Sequence, residues 1–227
     1  MNVCAAPVPV VFDLDGTLID SAPDIHAAVN AVLGEHGRPT LSLERVRSFI
    51  GGGVQVLWDK IGAELGIAAA DLPPMVAAFM TRYQGANDLT ILFDGVREAL
   101  ELLSSRGHPL GLCTNKPAAI TAAVLDHFGL SGLFGAVISG DSLPQKKPDP
   151  APLLAVLTAL GSHPDQPRGL YVGDSDYDAA CAQRAGVPLM LYTGGYCHAA
   201  LDDLPHHAQF DHFSTLPGLV ERAAATV

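Results

Sequence analysis

Five short runs of nearly continuous apolar residues constrain this chain more than any other feature: Pro9–Leu14, Leu110–Thr114, Ala136–Ser139, Gly169–Val172 and Pro188–Tyr192. A strand with one wet face alternates polar and apolar residues; a strand without alternation is covered on both faces. From the second run onward, helical patterns separate the runs. Val96–Arg106 carries Val96, Leu100 and Leu103, and Ala118–Phe128 carries Ile120, Val124 and Phe128; Leu153–Leu160 and Ala179–Ala185 follow. Strand, helix, strand in sequence means crossover connections and a parallel sheet between helices. The expected fold is α/β: a three-layer core with a parallel sheet.

One interval breaks the rhythm. Between the first two runs a segment of about 75 residues shows no convincing strand, far longer than an ordinary βα connection. It reads as helices. Ser21 is placed to cap the first, with Pro23 in its first turn and Asp24 three residues on, a capping-box-like start. Ile25, Val29, Val32 and Leu33 form its apolar stripe, and Gly37 its stop. Val46–Ile50, Val54–Leu65 and Met75–Tyr83 read as further helical pieces. The expected organisation is therefore a core (residues 1–20), an all-helical cap inserted after the first strand (21–87), and the rest of the core (88–227).

Charge narrows the partners. Against 13 Lys and Arg stand 24 acids, a formal net charge of −11. That balance argues against nucleic acid or an anionic membrane as a partner, and it repels an anionic substrate unless positive charge is gathered locally. The four cysteines, Cys4, Cys113, Cys181 and Cys197, form no C-x-x-C pair, which favours a reducing cytoplasm. The N-terminus lacks the basic start of a signal peptide, and no run approaches the roughly 18 apolar residues of a membrane span.

Parallel sheets bind ligands beyond the carboxyl ends of their strands, and the polar residues that stand out fall there. The first run delivers Asp13 and Asp15 in "VVFDLDGTLID". Two adjacent carboxylates repel, and burying them unpaired is costly. A divalent cation resolves that cost, and Mg²⁺ favours carboxylate and carbonyl oxygens beside a phosphate. Gly16 permits close backbone approach. The second run ends in "CTNK", where Thr114 offers a hydroxyl and a backbone N–H suited to a phosphate oxygen. After the third comes "QKKPDP", in which Pro148 biases Lys147 toward an extended backbone and a fixed direction. The fourth ends in "YVGDSDYD". There Asp174 can complete a metal site begun by the first strand, while Asp176 suits a helix N-terminus.

D-x-D-G-T followed by T-N, K-P and G-D-x-x-x-D, in this order and across essentially the whole chain, resembles the haloacid dehalogenase-like superfamily, specifically its phosphatases with a helical cap after the first strand. "FDLDGTLIDSAPDI", "FIGGG", "CTNKP", "LPQKKPDPAPL" and "YVGDS" look most like bacterial phosphoglycolate phosphatases; "SDYD", Ser175 to Asp178, departs from the Arg-Asn more usual before the last Asp. The resemblance implies a Rossmann-like core and Mg²⁺-dependent hydrolysis of a small phosphorylated metabolite, 2-phosphoglycolate, through an aspartyl-phosphate. It implies that Asp13 is the nucleophile and Asp15 the acid and base. Asp13, Asp174 and the Asp15 backbone carbonyl would hold the metal. Thr114, Asn115 and Lys147 would hold the substrate, with Asp178 behind them orienting Lys147 or a metal-bound water.

Within the cap, the glycines Gly51 to Gly53 suit either close approach to a small substrate or a plain helix–helix turn, and Arg47, Arg82 and Lys60 are candidates for a substrate carboxylate. His198, His206, His207 and His212 lie with Asp202, Asp203 and Asp211 in the tail, where irregular spacing and Pro205 favour a solvated loop over a second metal site. Other readings remain open: a phosphatase for a sugar phosphate or nucleotide, a β-phosphoglucomutase-like phosphotransferase activated by a sugar bisphosphate, or a silent scaffold. A dehalogenase has no use for Asp15. Monomer and small homo-oligomer are both compatible with the sequence.

Overall fold

The computed structural model describes residues 6–197, 200 and 203–225. Cys4, His198 and Asp202 lie outside the described residues. β1 (Val10–Phe12) opens the core, and a two-residue strand, β2 (Ile19–Asp20), leads out of it into α1 (Ala22–Glu35), α2 (Leu43–Arg47), α3 (Val54–Leu65) and α4 (Leu72–Tyr83). β3 (Ile91–Leu92) brings the chain back, antiparallel to β2. The sequence pattern missed this ribbon because two-residue strands are too short for any periodicity. It forms the double connection between cap and core.

The core then runs α5 (Val96–Ser105), β4 (Leu110–Cys113), α6 (Ala118–His127), β5 (Ala136–Ile138), α7 (Ala151–Ala159), β6 (Leu170–Gly173), α8 (Asp176–Ala185), β7 (Leu189–Tyr192), β8 (Ala208–Phe210) and α9 (Leu216–Ala224). All six core strands pair in parallel, in the order β5-β4-β1-β6-β7-β8. β1 lies centrally, with Phe12 in register with Leu112 on one side and Val172 on the other.

Strand residues alternate between two buried faces, as a fully covered sheet requires. Val10, Phe12, Leu112 and Val172 pack with Val96 and Leu100 of α5, Val124 of α6 and Val220 of α9. Val11, Cys113, Tyr171 and Leu191 pack with Val156 of α7 and Ala182 of α8. The expected three-layer core is thus present. In the cap, Trp58 and Phe79 are fully buried with ring centroids 5.9 Å apart, edge to face. Burying one such side chain contributes about 1.5–3 kcal/mol.

Three local expectations are corrected. The Ser21 hydroxyl does not cap α1; it donates to Asp15 Oδ1, because a carboxylate is a stronger partner than a helix N–H. Asp24 instead accepts from the Leu89 N–H at 3.1 Å and the Thr90 hydroxyl at 2.6 Å, tying α1 to the returning chain. The helical piece expected at Val46–Ile50 begins earlier, at Leu43, because Ser42 accepts the Arg45 N–H and starts it. The tail is no simple loop, since residues 208–210 form β8 and the His207 N–H donates to Leu189 O at 2.7 Å.

Candidate active site

β1 stops at Phe12, so Asp13 emerges at the carboxyl edge of the sheet between the ends of β4 and β6. Its carboxylate is buried, and Oδ1 lies 2.7 Å from Lys147 Nζ. The same ammonium lies 2.7 Å from Asp178 Oδ1 and 3.0 Å from the Tyr171 hydroxyl, which itself donates to Asp178. Burial, with the Asp178 charge, raises the Asp13 carboxyl, and Lys147 offsets only part of this, leaving it at about 7. Burial also raises Asp178, but there Lys147 and the donors Ser175 and Tyr171 win, holding it below the usual carboxylate range. For Lys147 burial works against the charge, yet Asp13 and Asp178 keep its pKa well above the ordinary value.

Asp174 follows β6 and is buried. Its Oδ1 accepts from the Thr17 hydroxyl at 2.7 Å and its Oδ2 from the Tyr196 N–H at 2.6 Å. Burial, then Asp178 and Asp13, push its carboxyl well up. Gly16 makes the approach possible: at φ +90° it takes a conformation L side chains rarely adopt, and a Cβ there would strike the Asp174 carboxylate. Ser175 and Asp178 form a capping box at the start of α8, which fixes Asp178 behind the site.

One carboxylate oxygen from each of Asp13, Asp174 and Asp178 lies within 4.8 Å of the others. Asp178 is saturated by Lys147, Tyr171, Ser175 and the Asp174 N–H. Asp13 and Asp174 are the acids that burial pushes toward the neutral form. An all-oxygen donor set of three buried acids, offset by the one ammonium of Lys147, suits a hard divalent cation such as Mg²⁺.

Asp15 sits at the rim, its Oδ1 bonded to Ser21 Oγ and, at 2.7 Å, to Lys116 Nζ. Thr114 is buried and lines the same cleft, but its N–H is committed to Ile138 O within the sheet. Only its hydroxyl, which accepts the Lys116 N–H at 3.1 Å, remains for a ligand; the N–H expected to serve phosphate does not. Asn115 uses its amide on backbone: Nδ2 donates to Gly51 O (2.9 Å) and Lys147 O (3.0 Å), and Oδ1 accepts from the Lys147 N–H (3.0 Å). It thereby ties the cap's glycine loop to the lysine.

The cleft, about 460 Å³ including its open mouth, lies between Asp13, Asp15, Thr114 and Lys116 on the core side and Ile50, Gly51, Gly53, Val54, Leu57, Phe79 and Tyr83 on the cap side. Gly53 stands at φ +86°, its added Cβ 3.1 Å from Asn115 O, so a larger residue would push the cap away. None of Arg47, Arg82 and Lys60 lines this space. Arg47 pairs with Asp20 at 3.1 Å and lies over the Tyr196 ring; Arg82 pairs with Glu35; Lys60 lies over Tyr177. Tyr177, within the departing "SDYD", packs on Gly51 and Gly52, so that departure is a cap–core contact.

Sequence reasoning gave no site contact to Lys116, Thr17, Tyr83 or Tyr196. For Lys116 a signal existed: like Lys147 it directly precedes a proline in the segment after a strand. For Thr17 and Tyr196 none did, since their link to Asp174 is made only by folding.

An α/β core presenting clustered acids and a lysine at its strand ends, under a helical cap, defines a hydrolase built around an aspartate. The model of the "Haloacid dehalogenase-like hydrolase" family matches residues 10–192, and the chain belongs to that family. It is 47% identical over 219 residues to a "Phosphoglycolate phosphatase" of Cereibacter sphaeroides, covering 95% of this chain and 99% of the relative. It is 42% identical over 224 residues to a protein of the same name from Pseudomonas putida, covering 96% and 81%. Its fold matches a crystal structure from Haemophilus somnus described as a predicted phosphoglycolate phosphatase, with a TM-score of 0.85, 32% identity and coverage of 93% and 96%.

Proposed function

We propose that this hydrolase is a phosphatase that converts 2-phosphoglycolate to glycolate and phosphate through an aspartyl-phosphate on Asp13. The observation that carries the chemistry is Lys147 Nζ at 2.7 Å from Asp13 Oδ1, behind a cleft lined by Asp13, Asp15 and Thr114. The substrate rests on the relatives' shared name.

Asp13 attacks phosphorus in line, splitting one hard hydrolysis into two displacements. Lys147 favours the ionised form of Asp13, aims it, and meets charge developing on the phosphoryl oxygens, with the Thr114 hydroxyl beside it. Asp15 protonates the departing glycolate oxygen, then takes a proton from the water that cleaves the aspartyl-phosphate. Asp178 holds Lys147, and Asn115 holds the Lys147 backbone. The carboxylates of Asp13 and Asp174 and the Asp15 backbone carbonyl would hold Mg²⁺, which when bound supplies positive charge to the acids and the phosphoryl group. Among the described residues, no helix is long and apolar enough to cross a membrane. The free buried thiols Cys113 and Cys181 suit work in the reducing cytoplasm.

A phosphate-release assay across 2-phosphoglycolate, sugar phosphates and nucleoside monophosphates, with Mg²⁺ and with EDTA, tests this. The expected result is metal-dependent release with 2-phosphoglycolate preferred; equal turnover of a generic sugar phosphate would remove the substrate and leave the chemistry.

A further inference from the structure

We infer that Lys116 selects the leaving group, by pairing with an anionic substituent on the carbon next to the oxygen that departs; the inference rests on the phosphatase reading above. Lys116 reaches the cleft from the turn after β4 with its side chain only 1% exposed. Its ammonium lies 2.7 Å from Asp15 Oδ1, hydrogen-bonds the Tyr83 hydroxyl, and sits 4.6 Å from the Tyr83 ring centroid. Among the residues lining the cleft it alone is cationic.

Geometry supplies the selectivity. The departing oxygen must touch Asp15 to receive its proton. Whatever is bonded to that oxygen therefore begins beside Asp15 and runs within reach of Lys116. A carboxylate one carbon away meets an ammonium there, while the facing cap wall of Ile50, Val54, Leu57 and Phe79 offers its side chains no polar partner. A polyhydroxylated leaving group would press its hydroxyls against that wall unpaired, which is unfavourable. The site is thus built for small anionic leaving groups. Tyr83, from α4, brings the cap to the ammonium and fixes where it points.

The test compares 2-phosphoglycolate with 2-hydroxyethyl phosphate, which has the same chain length and no carboxylate, in the wild type and in Lys116→Met. The wild type is expected to prefer 2-phosphoglycolate in kcat/KM. Lys116→Met should lower that preference about 10- to 100-fold, the worth of a charge-assisted hydrogen bond, mainly through KM. Competitive inhibition by glycolate should weaken far more than inhibition by inorganic phosphate. A preference that survives in Lys116→Met, with both substrates losing equally, overturns the assignment and leaves Lys116 a positioning residue for Asp15. A wild type without preference overturns the substrate reading itself. Should Lys116→Met fail to fold, the wild type decides: glycolate must inhibit competitively and better than ethylene glycol, and equal inhibition overturns the inference.

Discussion

Lys147 Nζ and Asp13 Oδ1 meet at 2.7 Å, one residue from the end of β1 and the other from the loop after β5. The ammonium is shared with Asp178, so a single cation compensates two buried acids. Replacing it by Met leaves both unpaired. Lys147→Met should lose at least about a thousandfold in kcat, from misaimed and partly protonated Asp13. Without metal it should also lose about 3–5 kcal/mol of stability, as when one member of a buried pair is removed. Denaturant unfolding and phosphate release measure both; retention of either would contradict the arrangement.

Asp13→Asn removes the nucleophile while keeping shape. Burial already opposes the Asp13 charge, pushing its pKa up to about 7, so the neutral amide should not destabilise the metal-free fold. The expected variant melts within a few degrees of wild type or above it and shows no turnover. Substantial residual phosphate release would show that another group attacks phosphorus.

Mg²⁺ should stabilise the protein as well as activate it. A ligand that binds only the folded state adds about 2.7 kcal/mol at a hundred times its Kd. A thermal melt should therefore rise with Mg²⁺ and fall back with EDTA. Asp174→Asn should abolish that response, because Asp174 and Asp13 are the acids that burial pushes toward the neutral form. A full response in the variant would place the ion elsewhere.

Tyr196 joins the outgoing arm of the cap to the Asp174 loop. Its hydroxyl donates to Asp20 at 2.7 Å and accepts the N–H groups of Ser21 (2.8 Å) and Ala22 (3.0 Å). Burial, then Asp20, push its pKa up, so the group stays a neutral donor. Tyr196→Phe strands these partners and should cost about 1–3 kcal/mol. Urea denaturation gives the value, and a loss below a few tenths would show that water replaces the hydroxyl.

Thiol chemistry gives an independent check of the core. Burial pushes the Cys181 thiol up to about 12, and it raises Cys113 as well. At pH 8, well below both, neither carries appreciable thiolate. Iodoacetamide should leave Cys113 and Cys181 unmodified in the native protein and label them after denaturation, as peptide mass spectrometry would show.

Most of the sheet could be read from the chain because strands buried on both faces need apolar residues throughout. Helices such as α5 were legible because Val96, Leu100 and Leu103 must share one face. β8 was not: "AQF" is too short and too polar to announce a strand, and pairing with β7 creates it. Ser21 misled because its hydroxyl had two possible partners, a local helix N–H and Asp15, and only the closed β2–β3 ribbon brings them into competition.

The chemistry divides along the same line. Asp13, Asp15 and Asp174 stood out in the sequence because they follow apolar strands, and Lys147 because a proline follows it; their proposed roles came from the family resemblance. What tertiary structure decided is which charges meet: that Lys147 bridges Asp13 and Asp178, that Lys116 faces Asp15, and that Thr17 and Tyr196 hold Asp174. Coulomb energy and hydrogen bonding depend on separation in space, and a chain specifies that separation only once its sheet has closed.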